Sequence, residues 1–469
     1  TEKEIRIDVF QLDVPTISIA DADKGFKVLQ GSELTITPIV DSFLETSYSW
    51  QINGEDISNE LTCTLPTIEL GEYQVRFATH NEDGDDEVTF KVEVCSPDQV
   101  DFNWTFLQTE YNMSAGRTIR IKPVDVNNAL DAVYTWTVDN EQVQSGENDT
   151  YLFTSEQQGE HTVKVEMKNS YILATQTLKV NVCPPAGTYQ RKISATSSAS
   201  MNKVYEYLPA PGQFINENHN TTTMAEACTY AEERINQTAY VSLGGFGGYI
   251  IVGFDHSIVN DGDYNIAITG NAFDGSSEPG IVWVMQDENG DGLPNDTWYE
   301  LRGSEYGKAE TWQDYAVTYH KPTGIQLPTP WTDNHGQSGS IDYLGAFHRQ
   351  DYYYPAWVKE KQYTLRGTRL KERNYDQSGN GTYWVNDSYE WGYADNFSAI
   401  DRLTDDDNYN AGPSDNHFKI SHAVTFDGKD ANLKYVDFIK VQVGVNSKSG
   451  WLGEISTEVF GIKDFNMLK

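Results

Sequence analysis

The chain has 469 residues, with 34 Lys plus Arg against 70 Asp plus Glu and a formal net charge of −36 at pH 7. A chain this long exceeds one hydrophobic core and implies about two to four domains. The acid excess excludes a nucleic-acid partner and disfavours an anionic membrane surface, because no basic stripe offsets it locally; divalent cations and neutral ligands remain compatible.

No apolar run reaches the ~18 residues of a membrane-spanning helix, so membrane attachment would require a lipid anchor upstream of Thr1. Residues 1–12, opening Thr1-Glu-Lys-Glu, read as a solvated tether. A tandem repeat follows, with units at 13–95 and 96–183. Gly71-Glu-Tyr-Gln-Val-Arg-Phe matches Gly159-Glu-His-Thr-Val-Lys-Val, and Cys95 and Cys183 lie at the same spacing. Upstream, Tyr48-Ser-Trp50 matches Tyr134-Thr-Trp136, and each pair is followed by a polar hairpin turn, Asn53-Gly54-Glu55 or Asp139-Asn140-Glu141. Short alternating strands, frequent turns and a central Trp describe an Ig-like sandwich, with both tryptophans in the core. Asn81–Glu87 reads as a charged hairpin turn. Cys63, Cys95, Cys183 and Cys228 show no CxxC or zinc spacing and are expected to be free, partly buried thiols.

These strands resemble the PKD family of Ig-like modules, through Tyr-x-Trp and Gly-x-Tyr-x-Val as they stand here; the second copy has His161 where the first has Tyr73. The resemblance implies extracellular spacer or protein-contact modules without catalysis. Cys183-Pro-Pro-Ala-Gly187 then stops the last strand.

From 184 to 469 the texture changes. One helix is expected from Thr223 to about Gln237, with Thr223 as its cap and Glu226 supporting it. Strands are expected at Tyr249–Phe254, Tyr264–Thr269, Ile281–Val284, Tyr315–Tyr319, Tyr435–Val443 and Ile455–Phe460. The sum is an all-β chain: two Ig-like sandwiches, then a larger jelly-roll-like β-sandwich with one short helix. Gly244-Gly-Phe-Gly-Gly248 precedes a strand rather than a helix, so it reads as a crowded turn and not a phosphate cradle.

Residues 287–296, Asp-Glu-Asn-Gly-Asp-Gly-Leu-Pro-Asn-Asp, carry the clearest chemistry. Asp287, Asn289 and Asp291 offer hard oxygens at alternate positions before Gly292, a spacing suited to Ca²⁺. Leu293 and Asp296 complete the expected set. Trp298 stands where an EF-hand has its bidentate Glu, and the flanks read as strands, so the expectation is a structural calcium loop on a β-hairpin. A plain hairpin turn built on Asn-Gly and Asp-Gly is the alternative. Asp405–Asn410 is a second oxygen-rich run without the regular spacing.

Aromatic residues cluster at Tyr352–Trp357 and from Tyr383 to Tyr393. Tyr389, Trp391 and Tyr393 alternate and are expected to form the packed face of a strand. Trp357, Tyr383 and Trp384, with Asn386, Asp387 and Asn396, form the expected ligand platform: rings for stacking, amides and an acid for hydroxyls. No nucleophile-elbow, zincin or penicillin-binding motif is present. His335 and His348 with Asp333, Asp342 and Asp351 are the nearest approach to an acid/base set, and no catalytic residue is assigned.

Val241-Ser-Leu-Gly-Gly-Phe-Gly-Gly-Tyr-Ile-Ile-Val-Gly-Phe-Asp255, Gly270-Asn-Ala-Phe, Ser277-Glu-Pro-Gly-Ile-Val and Gly450-Trp-Leu-Gly-Glu-Ile-Ser-Thr-Glu-Val459 resemble surface proteins of Gram-negative gut anaerobes. That resemblance implies export to the outer-membrane surface, beside a TonB-dependent receptor that takes up nutrients; some relatives accompany glycans and others corrinoids. The expected function is non-catalytic capture of a glycan or small nutrient. A surface polysaccharide hydrolase and a protein-binding adhesin or scaffold are the alternatives.

Overall fold

The computed structural model describes every residue except 1–11, 21, 68, 97–101, 128, 130–131, 170–172, 218 and 404–412. Most of the tether and the Asp405–Asn410 run therefore lie outside the described residues. The architecture is all-β, with one α-helix among the described residues.

Each repeat folds as a sandwich. In the first, a five-stranded sheet runs in the order Phe26–Leu29, Gly84–Cys95, Gly71–Asn81, Ser47–Ile52, Glu55–Ser58. The second repeats it with Glu110–Ser114, Leu173–Cys183, Gly159–Lys168, Val133–Val138 and Glu141–Gly146. In each copy the edge strand pairs in parallel with the last strand, Phe26 opposite Val92 and Glu110 opposite Lys179, while the rest of the sheet is antiparallel. The hairpin turns match their chemistry: Asn53 and Gly54, like Asp139 and Asn140, all have positive φ, as a twisted two-residue turn requires.

Trp50 and Trp136 are fully buried, Trp50 against Phe77 and Phe90, Trp136 stacked on Tyr151. The Tyr-to-His exchange preserves one contact. Tyr73 donates its hydroxyl to the Glu69 carbonyl at 3.0 Å, and the His161 Nε2 meets the Gln157 carbonyl at 3.0 Å, in both cases four residues upstream. All four cysteines are free; Cys63, Cys95 and Cys183 are buried and Cys228 partly so.

The rest forms a larger β-sandwich. Its six-stranded antiparallel sheet runs Lys203–Leu208, Tyr249–Val259, Tyr435–Val443, Gly280–Met285, Trp298–Leu301, Ala423–Val424. A four-stranded sheet (Ser338–Ile341, Thr329–Asp333, Trp312–His320, Gln362–Arg369) and a three-stranded one (Ser414–Phe418, Ile266–Gly270, Gly461–Asp464) share its core. The helix Met224–Asn236 buries Ala227, Ala231 and Ile235 beside Lys203–Leu208. Thr223 caps it by accepting the Glu226 amide, while the Glu226 carboxylate turns back to Thr222.

Gly244–Gly248 is the crowded turn expected: a Cβ on Gly248 would lie 1.8 Å from the Leu243 carbonyl oxygen. Two expectations fail. Only Glu458–Val459 of the segment Ile455–Phe460 is paired as a strand. Tyr389, Trp391 and Tyr393 lie in a loop, yet Tyr389 and Tyr393 are buried edge to face, so they are core residues without being a strand face.

Candidate functional site

The loop 287–296 joins Gly280–Met285 to Trp298–Leu301, an antiparallel hairpin as read from its flanks. Its oxygens are already oriented by the loop's own amides. Asp287 accepts from Gly290 N (2.7 Å) and Gly292 N (3.1 Å), Asn289 from Asp291 N, and Asp291 from Leu293 N. Each carboxylate oxygen has lone pairs to spare after one such bond. Asp296 is buried, with one oxygen holding the Glu288 amide and Oδ1 without a protein partner. Burial, reinforced by Glu288, Asp287 and Asp291, pushes its carboxyl up to about 8. Leu293 is exposed and can contribute only its backbone. The donor set is hard and electron-rich, which suits an oxygen-seeking cation.

This loop does not stand free in solvent; it forms the seam with the second module. The Arg117 Nε lies 3.3 Å from Glu288 Oε1, and its other nitrogens donate to the Ala431 carbonyl and Gln286 Oε1. Its guanidinium lies 5.4 Å from the Tyr299 ring centroid, while Ser114 N donates to Glu288 Oε2. Around this peg the contact widens through Arg120 and Lys122 to Asp314, and through Arg366 to Asp125.

Between these ion pairs lies a cleft of about 690 Å³, within the size range of small-molecule sites. One wall is the second module, including Leu107, Tyr111 and Val124; the other includes Trp283, Trp298, Tyr306 and Phe426. Strand register builds its floor. Lys440 stands opposite Trp283, and Trp283 opposite Glu300, so a cation, an indole and an acid share one face of the six-stranded sheet. The Lys440 ammonium lies 4.8 Å from the Trp283 ring, 5.4 Å from Trp298 and 5.6 Å from Tyr249. Desolvation lowers Lys440 to about 8, and burial raises Glu300 to about 7 against the pull of Thr368, which donates to its carboxylate. The Trp283 indole N–H is buried without a hydrogen-bond partner.

The expected platform residues are not gathered here. Trp357 is 6% exposed, packs on Tyr207, and spends its indole N–H on the Tyr207 carbonyl. It is a core residue, which corrects its assignment to a ligand surface. Asn396 is fully buried and ties the loop through both the amide and the carbonyl of Tyr389; Asn386 is buried and accepts from Ser449 Oγ. The Asn396 amide is occupied at both ends in structure, so it is not a hydroxyl-reading group, and the Asn386 carbonyl oxygen is likewise engaged. Tyr383 and Asp387 are exposed, and Trp384 is partly exposed beside Gly450. The acid/base set is dispersed as well: His335 stacks on Trp312, His348 pairs with Glu217, and Asp342 with Lys448. The cleft was legible only as two tryptophans flanking an acidic loop; that a distant lysine and the second module complete it depends on strand order.

Residues 14–81 and 106–169 each match the model of the PKD-like domain family. The chain carries two PKD-like modules. Such modules are typical of extracellular binding and scaffold proteins, and no described helix is long and apolar enough to cross a membrane. Among solved structures, the fibronectin(III)-like modules of Clostridium thermocellum CbhA are similar at 15% identity, covering 38% of this chain and 100% of that one, with a TM-score of 0.20. The titin domains z1z2 in complex with telethonin give 20% identity, 38% and 100% coverage and a TM-score of 0.17. The Ig1-2 module of the Drosophila receptor protein tyrosine phosphatase DLAR gives 12%, 36%, 97% and 0.18. No curated protein matches the chain.

Proposed function

We propose that the chain is a non-catalytic, cell-surface binding protein that captures a glycan or small nutrient for an outer-membrane uptake system. The cleft between the second PKD-like module and the C-terminal sandwich is the ligand site in this reading. The observation that carries it is the convergence there of Trp283, Trp298, Tyr306 and Phe426 with an unpartnered indole N–H and an ionisable pair. Flat rings stack on sugar or corrin faces, and the few polar groups fix orientation. A Ca²⁺ at Asp287, Asn289, Asp291, the Leu293 carbonyl and Asp296 would stiffen the hairpin that carries both tryptophans. A TonB-dependent receptor is the proposed partner.

The test is calorimetric titration against a panel of glycans and corrinoids. For a ligand so found, Trp298→Ala is expected to weaken binding at least about tenfold, with Trp384→Ala as the control for the surface first expected. Full affinity in Trp298→Ala, or no binding across the panel, removes the reading.

One observation favours a second reading, a polysaccharide hydrolase. Glu300 is a carboxyl held near 7 in a cleft, the state a general acid needs. Release of reducing ends that disappears in Glu300→Gln would establish it; absence of release across the same polysaccharides would dismiss it.

A further inference from the structure

A second group of acids lies away from the cleft, inside the C-terminal sandwich. Glu278 comes from the segment leading into Gly280–Met285, Asp395 from the loop bridged to it at Gly280 and Ala394, and Glu458 from the short strand Glu458–Val459. Each offers a carboxylate oxygen, and these atoms all lie within 4.8 Å of one another. Asp395 is 1% and Glu458 4% exposed. No described Lys, Arg or His forms an ion pair with any of the three.

Backbone amides take some of the oxygens: Asn271 N and Glu458 N donate to Asp395, and Ser456 N to Glu278. Glu458 Oε1 remains buried without a hydrogen-bond partner, and so does Oε2 of Glu454, which is 4% exposed. Glu454 is a further buried acid on the same segment, four residues before Glu458. Three acids gathered in the interior, with an orphaned oxygen and no described organic cation paired with them, carry a large desolvation and repulsion cost whenever they are ionised together. Oxygen-only carboxylate donors select hard divalent ions over zinc or copper.

We propose that Glu278, Asp395 and Glu458 bind a divalent cation of the Ca²⁺, Mg²⁺ and Mn²⁺ class, independently of the loop 287–296. The ion would tie the C-terminal Glu458 strand to the start of the sheet that carries the cleft. Glu278 is the least buried residue of the three.

The full chain carrying Asp287→Asn and Asp291→Asn isolates this site from the loop. Loaded with Ca²⁺ or Mn²⁺ and desalted, it is expected to retain a chelator-releasable ion by mass spectrometry. Chelation should lower its Tm by several degrees. Adding Glu458→Gln is expected to abolish both the retained ion and the chelator shift, and to raise Tm in chelator because an amide replaces a repelling acid. An ion-free double variant insensitive to chelator, or a Glu458→Gln variant that still binds, overturns the site. Should Glu458→Gln fail to fold, Glu278→Gln replaces it. Anomalous diffraction from Mn²⁺-soaked wild-type crystals gives a fold-independent answer: a peak among the three carboxylates supports the site, and none refutes it. These outcomes do not depend on whether the cleft binds a sugar.

Discussion

Arg117 shows how much a single side chain decides at the module junction. It is the cation facing Glu288, whose carboxylate is almost fully buried and pushed up to about 7 mainly by that burial. Arg117→Ala would strand this acid and remove three contacts together, at a cost of about 3–5 kcal/mol, measurable as early release of the second module in denaturant or limited proteolysis. His161 makes the junction's own module respond to pH. Its pKa is raised by the Gln157 carbonyl and then by Asp139, so the folded module favours the charged imidazole. The stabilisation is fully present below the ordinary histidine value of 6.5 and is lost as pH rises through the higher folded value. His161→Tyr, copying the first repeat, is expected to flatten that dependence; an unchanged slope of module stability with pH would refute the assignment. At this scale the sequence reveals identity but not exposure. Trp50 and Trp136 were readable as core because they sit in alternating strands of a repeat. Trp357 was not, because its Tyr-rich neighbourhood looks the same whether it faces solvent or the Tyr207 ring.

Among elements, the acidic hairpin and the helix differ in what holds them. The helix is locally determined: Thr223 satisfies the Glu226 amide, and three small or branched apolar residues face the sheet. Thr223→Ala is expected to destabilise it by about 1 kcal/mol, read as a lowered denaturation midpoint with unchanged slope. The hairpin is determined by charge it has to manage. With Asp287, Glu288, Asp291 and Asp296 crowded together, added Ca²⁺ is expected to raise Tm and Asp287→Asn to reduce that increment by the loop's share, both followed calorimetrically; equal increments would sever the loop from the effect. Its strand–turn–strand form was legible from alternating oxygens and glycines between apolar runs. The failure at Ile455–Phe460 has the opposite cause. Alternation there is real, but both sides of the segment are buried, Ile455 and Val459 as much as Ser456 and Glu458, so the pattern marks no single covered face, and only Glu458–Val459 finds a partner strand.

At the level of the whole molecule, the sequence disclosed the parts and their order, because repeats and periodicity are local properties. The cleft depends on parts separated by hundreds of residues, Tyr111 against Trp298 against Lys440, and no local pattern encodes that meeting. Its rim pairs, Arg120 and Lys122 with Asp314 and Arg366 with Asp125, are partly solvent-exposed and therefore screened by salt. Higher ionic strength is expected to loosen the second module around the Arg117 peg, seen as a larger radius of gyration in solution scattering; an unchanged radius from low to molar salt would show the rim contributes nothing.

The parallel pairing of edge and last strands in both modules has a mechanical consequence. Tension applied across a module pulls those two strands along their length in opposite directions, so the bonds from Phe26–Val92 to Leu29–Cys95, or from Glu110–Lys179 to Ser114–Cys183, bear load together. They must rupture in concert by sliding, whereas an antiparallel pair pulled from one end opens bond by bond. Modules built this way resist a pull along the chain without a disulfide to brace them, since all four cysteines are free.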